Sequence, residues 1–472
     1  MKKWKLLYCA CFFAVCLCPA AGMAVSSGED TSTENRRLAE FPAVRTEEGE
    51  INTEWLSQAG DYFQDHFGFR NELVTANALV QGRLLGVSSA SGVIQGSGGW
   101  LYYKDSLNDY LGTELLSERS LFNIAHTMGM TQRYLEQKGV AFTFAIAPNK
   151  NSLYGEHMPY YDSYRVTDEN NRVRLTSYLE QEGVNYTNLY EVFEEQQEVL
   201  YHERDSHWNN KGAALAGGEI LDSLGREHIS YEDAEYEVRR DFAGDLDKML
   251  YPDALTLEDE IYYTEEPQFA YVEEVESNFD PRIYTTSEGK NGSLVMYRDS
   301  FGNTLLPFMA EAYGNAYFSR GVPYQLSDVD TCQATAVVIE RAERFLPEMA
   351  AAPPVLAAVP TVWEGEILEK VEDGTSHMEI KTQGMTKQIT GAVLAEYLDT
   401  DTEIYVRING GSLYEAFPMN IEAEDSVDDG GFCLYLGADA VPEGSVAAEV
   451  MVRNGNTMEI ISKQEVKEEV MK

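Results

Sequence analysis

Basic charge is scarce in this chain of 472 residues: 36 Lys and Arg stand against 79 Asp and Glu, a formal net charge of −43. Neutralising nucleic-acid phosphates needs clustered Lys and Arg, and no basic stripe occurs anywhere. The chain therefore reads as no nucleic-acid partner. Cysteine is equally sparse. Of six, four (Cys9, Cys11, Cys16, Cys18) fall within the first eighteen residues. Cys332 and Cys433 remain, too few for a disulfide-built scaffold or a cysteine zinc site. Two buried thiols are the favoured reading, ahead of one bridge between them. Internal repeats, long low-complexity tracts and a second spanning segment are missing too. Disorder is excluded as well, because 44% of residues are hydrophobic and 11% aromatic. The length allows two to four domains, at roughly 100–200 residues each.

What is present begins with Met1-Lys-Lys-Trp-Lys5, then an uncharged run over residues 6–28 with small residues at 20–24. A positive start, an apolar middle and small residues behind it make an export signal. Residues 1–25 are expected to be a signal peptide cleaved after Ala24, or an uncleaved signal anchor, since the run is near the ~20 residues a spanning helix needs. Lysines kept inside place the rest of the chain outside the cytoplasm. Residues 26–90 read as a Ser/Thr/Glu-rich spacer (26–35) followed by a mostly helical segment.

From residue 91 short apolar strands alternate with amphipathic helices. Strands are expected at 140–147, 184–186, 293–297, 316–318 and 334–340, and helices at 115–138, 166–182, 210–224 and 303–313. The alternation predicts an α/β unit over 91–350, a parallel sheet with helices on both faces. Acidic, tyrosine-rich sequence at 230–290 reads as an insertion or surface excursion. Residues 350–360 form a linker by composition. Beyond it the apolar period drops to two, and Asn409-Gly-Gly411 supplies a hairpin turn. Residues 361–472 are expected to be an independent all-β module, a small sandwich.

Three motifs fall at the carboxyl edge of that sheet, where open α/β folds collect their sites. In Arg204-Asp-Ser-His-Trp208, an Asp two residues before a His can hold one imidazole nitrogen and leave the other free as a base. The helix expected from residue 210 would bring a positive dipole end near His207 and favour its neutral form. In Tyr297-Arg-Asp-Ser-Phe-Gly302, a buried strand ends, Ser300 follows and a helix begins at once. A serine there is exposed at the sheet edge, beside backbone N–H groups able to stabilise an oxyanion. In Ala147-Pro-Asn-Lys-Asn-Ser152, Asn149 or Asn151 could donate to an oxyanion and Lys150 could contact substrate. For each motif alone, helix capping or a plain turn is the ordinary alternative; three at one edge outweigh it. A metal reading of Asp205 and His207 lacks a third ligand at sensible spacing. His126, His157, His202, His228 and His377 read as surface or satisfied core. Trp100, Tyr102, Tyr103, Trp363, Tyr405 and Tyr414 read as core rather than sugar platforms.

Together these motifs resemble the DHHW family, relatives of the alginate O-acetyltransferases of bacterial exopolysaccharide systems, which are SGNH-hydrolase-like. The resemblance is carried by Asp205-Ser-His-Trp208, Arg298-Asp-Ser-Phe-Gly302, Pro148-Asn-Lys150, Asp65-His-Phe-Gly-Phe-Arg70 and Gly99-Trp-Leu-Tyr-Tyr103, with Glu340-Arg-Ala-Glu-Arg344 at the domain's end. It implies an SGNH-like catalytic domain over 91–350, with Ser300 as nucleophile, His207 as base and Asp205 as its orienting partner. Asn149, Lys150, Trp208, Arg298 and Asn303 are the expected substrate or oxyanion contacts. The implied activity is extracytoplasmic O-acyl transfer, with acetyl as the group, to a cell-surface or secreted polysaccharide. A membrane-bound acyltransferase would supply the acetyl group, a membrane tether could run through the N-terminus, and no metal or soluble cofactor is called for. The alternatives are a glycan O-acetylesterase, with water as acceptor, and a catalytically silent glycan-binding or scaffold protein.

Overall fold

The computed structural model describes residues 2–23, 39–46, 49–85, 88–276, 280–370, 373–383, 386–423, 426–437, 441 and 445–469. The expected cleavage point after Ala24 and the spacer at 26–35 lie outside them. Residues Lys2–Met23 are helical. Among the described residues no helix is long and apolar enough to cross a membrane.

Seven described strands form the central sheet, in the order Tyr186–Thr187, Ala141–Ala147, Ala336–Ala342, Ser293–Tyr297, Asn315–Ser319, Arg282–Thr286, Ala270–Tyr271. The first five run parallel, and the last two pair antiparallel at one edge. All five residues of Ser293–Tyr297 are buried, as a strand covered on both faces requires. Its side chains alternate between two cores. Leu294 and Met296 face helices Asn210–Ser223 and Gly302–Glu311 through Ile220, Leu305 and Met309. Val295 and Tyr297 face helices Glu118–Gln137 and Asn171–Gln181 through Leu121, Ile124 and Leu175. The second of those helices begins five residues later than expected because the Asn170 side chain accepts from Val173 N–H at 3.0 Å and caps it there.

The all-parallel expectation is corrected at the edge. The stretch read as an excursion supplies both antiparallel strands and a hairpin, Tyr236–Ala243 with Leu257–Tyr263. Arg282–Thr286 buries only alternate residues, so it lacks the continuous apolar run that marks the inner strands.

The C-terminal unit is strand-rich, as expected, but it is not two stacked sheets. Leu413–Ala423, Glu403–Ile408, Ser445–Asn454, Thr457–Glu469, Thr375–Gln383, Thr386–Val393 and Ser426–Gly437 pair in that order, and the last pairs back to the first. Leu413–Ala423 has eleven residues; its start serves one neighbour and its remainder the other, so the sheet closes on itself. Asn409 (φ 50°) and Gly410 (φ 65°) make the tight turn read from the sequence. Cys332 is half-buried, Cys433 is buried, and both are free thiols.

This unit is docked through polar contacts. Arg119 Nη1 donates to the carbonyls of Thr400 (3.0 Å) and Thr402 (2.5 Å), and Asn123 Nδ2 to Asn420 Oδ1 (3.1 Å) and the Asp429 carbonyl (3.0 Å). The linker is bound on both sides, Val355 bridging to Gln325 and Ala357 to Tyr435.

Candidate active site

The Ser300 turn is pinned by one carboxylate. Asp299 Oδ1 accepts from Phe301 N–H at 2.8 Å, and Oδ2 accepts from Ala342 N–H at 2.7 Å at the end of the neighbouring strand. Gly302 is needed there, since a Cβ would sit 2.6 Å from Arg298 Cδ. The loop carrying Asp205 and His207 is held from beneath by Lys150, whose buried ammonium donates to the carbonyls of His202 (3.0 Å), Glu203 (2.9 Å) and Asp205 (2.5 Å). Asn209 then caps helix Asn210–Ser223 through Gly212 N–H.

These two turns bring Asp205, His207 and Ser300 into one row. Asp205 Oδ1 lies 2.7 Å from His207 Nδ1, and His207 Nε2 lies 2.8 Å from Ser300 Oγ. Asp205 Oδ1 also accepts from His207 N–H at 2.9 Å. With the ring proton on Nδ1, Nε2 accepts from the Ser300 hydroxyl.

Residues 93–276 match the family model described as the SGNH hydrolase-like domain of acetyltransferase AlgX. The chain carries an SGNH hydrolase-like domain. The match includes Asp205 and His207 and ends before Ser300. No curated protein sequence matches the chain. Solved structures similar to it include a DHHW family protein from Eubacterium siraeum (14% identity over 54% of this chain and 91% of that one, TM-score 0.41) and PatB1 of Bacillus cereus (15%, 54%, 96%, 0.40). The O-acetyltransferase domain of AlgJ from Pseudomonas putida is a third (16%, 54%, 92%, 0.36).

A second carboxylate in the SGNH-like domain was not legible as part of the row. Asp245 N–H donates to Asp205 Oδ2 at 2.7 Å, Ser206 Oγ donates to Asp245 Oδ2 at 2.6 Å, and that same oxygen lies 3.6 Å from His207 Nδ1. Burial alone would lower the His207 pKa. The Asp205 hydrogen bond and the charges of Asp205 and Asp245 overcome this and raise it. The expected helix-dipole effect is thereby outweighed: full charges at hydrogen-bond range exceed a partial charge at a helix end. Asp205 moves the other way. Burial would raise it, but the His207 hydrogen bond and charge hold it below the ordinary carboxylate range. Asp245 is raised by burial and by the Asp205 charge.

Asp205, His207 and Asp245 also offer three ligand-type atoms within 4.8 Å of one another, the third ligand that spacing did not reveal. The Asp205 and Asp245 oxygens already accept from His207, Ser206 and backbone N–H groups, so a cation would have to displace that network.

The expected contact residues separate. Asn149 is buried; its N–H donates to Glu343 Oε2 at 2.8 Å, and its Nδ2 has no partner among the described residues. Arg344 reaches Asn149 Oδ1 at 3.5 Å and lies over the Phe301 ring at 5.3 Å, which places both beside the Ser300 turn. Lys150 is enclosed under the 202–205 loop rather than open to substrate, and burial lowers it to about 8. Trp208 is buried against Phe193 and Phe301 in the core instead of walling a cleft. Arg298 is buried too and holds Asn303 Oδ1 at 2.5 Å, while Asn303 N–H donates to the Ser300 carbonyl. Asn151 donates to the Ser106 carbonyl. Glu343, in the closing motif, is a hub that accepts from Asn149, Ser152, Asn170 and Arg172. Asp65-His66 and Arg70 build the corner between helices Trp55–His66 and Arg70–Leu85, where Asp65 accepts from Ala39 N–H and Arg70 donates to the Gln64 carbonyl.

Gly244 sets how closely Asp245 meets Asp205. A Cβ there would lie 2.2 Å from the Arg204 carbonyl oxygen and 2.9 Å from Asp205 N. Gly244→Ala is expected to push the two segments apart and lower kcat/KM about 100-fold, the scale of an ångström of misplacement. The far-UV circular dichroism should stay unchanged. Activity within threefold of the parent, measured with an activated ester, would contradict a tight coupling of Asp245 to the row.

Proposed function

We propose that this chain is an extracytoplasmic serine O-acyltransferase that acetylates a polysaccharide. The observation that carries the reading is the Asp205–His207–Ser300 row, at 2.7 and 2.8 Å. Ser300 Oγ attacks the acyl carbonyl of the donor while its proton passes to His207 Nε2. The donor's leaving group departs with that proton, and an acyl-enzyme ester remains on Ser300. A sugar hydroxyl then attacks the ester carbonyl, giving its proton to His207 Nε2. The C–Oγ bond breaks, and the proton returns to Oγ. Asp205 keeps Nδ1 protonated throughout and steadies the imidazolium. Phe301 N–H is occupied by Asp299, so the oxyanion falls to Asn149 Nδ2, which has no partner among the described residues, and to the Ser300 and Gly302 N–H groups. Export through the N-terminal segment and acetyl supply by a membrane-bound acyltransferase complete the proposal.

The raised His207 pKa fixes the sign of the pH dependence. A base must be neutral to act, so kcat/KM for acylation rises with pH through a value above the ordinary ~6.5 of histidine. A profile already flat at pH 6 would contradict this. Transfer is tested by supplying the full chain with an activated acetyl ester and oligosaccharide, then weighing the sugar by mass spectrometry. Ser300-dependent gain of acetyl supports transfer. Ser300-dependent loss of acetyl from native glycan, with no gain on any sugar, makes the chain an esterase instead.

A further inference from the structure

A cavity of about 410 Å³ is lined by the first residues of the two helices that leave the functional turns. Asn210, three residues after His207, and Asn303 and Thr304, three and four after Ser300, form one side of it. Each lies in the first turn of the helix that leaves its turn. Asn303 N–H donates to the Ser300 carbonyl at 3.2 Å, so this part of the wall and the nucleophile belong to one backbone turn. The opposite side comes from the tyrosine-rich segment, through Tyr262, Pro267 and the half-buried Phe269.

The chemistry of this lining is unlike that of the rest of the chain. The protein carries 79 acidic residues, yet among the described residues Glu266 is the one charged side chain on the cavity wall. The other groups are aromatic rings, prolines, carboxamides and the hydroxyls of Thr304, Tyr262 and Tyr263. Rings and prolines offer flat apolar surface to the C–H face of a sugar, and amides and hydroxyls both donate and accept, as vicinal hydroxyls require. Among the described residues no cationic side chain lines the wall to receive an anionic group, and the field of a chain at −43 repels polyanions. A volume of this size falls within the range of small-ligand sites.

We infer that this groove is the acceptor subsite of the SGNH-like domain and that it holds a neutral glycan, with Phe269 stacking on a sugar ring next to the one that receives the acyl group. The inference rests on the acyl-transfer reading for its purpose, but its test does not use that chemistry. Binding is measured in the full chain carrying Ser300→Ala, with maltotetraose, cellotetraose and chitotetraose as probes and decanoate as the competing class. At least one tetrasaccharide is expected to bind saturably. Phe269→Ala should weaken it at least tenfold, and Phe269→Tyr, which keeps the ring, should restore it; thermal melting of each variant checks folding. Three results overturn the proposal: no tetrasaccharide binding up to about 10 mM, binding that Phe269→Ala leaves unchanged, or binding of decanoate in place of the sugars. None of these bears on whether Ser300 forms an adduct, so this proposal and the nucleophile assignment fail separately.

Discussion

Asp205→Asn is expected to lower kcat/KM for an activated acetyl ester by about 10⁴-fold, on the scale of the same exchange in a serine protease triad. The hydrogen bonds explain why so small a change costs so much. Asp205 Oδ1 accepts from His207 N–H and from Nδ1, and Oδ2 accepts from Asp245 N–H. An asparagine can satisfy only one side. With its oxygen toward His207, its NH₂ meets the Asp245 N–H, donor against donor. With the oxygen toward Asp245, the NH₂ meets Nδ1 and moves the ring proton to Nε2, where it faces Ser300 and leaves no base. The first orientation keeps the tautomer but loses the Asp245 bond and the charge that steadies the imidazolium, and the second leaves no base; neither opens a cavity, so the folded state should persist. Steady-state kinetics with a chromogenic ester checks this; activity within tenfold of the parent would contradict the role given to Asp205.

The second large effect lies away from the site, at the contact between the SGNH-like domain and the strand-rich unit. His126 is buried on helix Glu118–Gln137, with Nδ1 3.0 Å from Glu182 and Nε2 2.8 Å from Glu415 of the C-terminal sheet. Arg133 approaches the same two carboxylates at 3.8 and 3.5 Å, and Phe122 stacks on the imidazole. Burial alone would lower the His126 pKa; the two carboxylates raise it to about 9. A histidine whose folded pKa lies above its unfolded ~6.5 stabilises fully below 6.5 and loses that contribution as pH rises to about 9. Glu182 and Glu415 are lowered against their own burial, chiefly by the His126 hydrogen bond, so their share is lost as pH falls below the ordinary carboxylate range. His126→Gln should cost about 3 kcal/mol at pH 6, the scale of breaking a buried ion pair. It should also flatten the decline of melting temperature between pH 6.5 and 9. Calorimetry across that range checks both. Parallel curves for parent and variant would contradict a charged His126 at the contact.

The sequence made legible what is local. Ser293–Tyr297 could be read because four apolar residues in a row, Leu294 to Tyr297, end just before a helix and suit a doubly covered strand. The Asp205 and His207 pairing follows from a spacing of two, and the Ser300 turn from a strand running straight into a helix. What escaped is contact between distant segments. The Asp245 N–H to Asp205 Oδ2 bond joins residues forty apart, and nothing around Gly244 marks it. Lys150 and Trp208 sit next to site residues in the chain but turn inward, which depends on the loop and core they meet. Closure of the C-terminal sheet depends on which strands Leu413–Ala423 finds on its two sides, and alternation reports only that strands exist. The two antiparallel edge strands were hidden for a related reason, since a half-exposed strand in acidic sequence has no apolar run to show.

The central claim is that Ser300 becomes acylated with His207 as its base, and peptide mass spectrometry tests it most directly. The full chain is treated with a serine-directed phosphonate or an activated acetyl ester, quenched in acid and digested with trypsin, which releases residues 299–320 as one peptide. The account predicts a mass increase of one adduct on that peptide, located at Ser300, absent in Ser300→Ala and formed far more slowly in His207→Ala. An adduct at any other residue, or acetyl transfer to sugar by the Ser300→Ala chain, would contradict it.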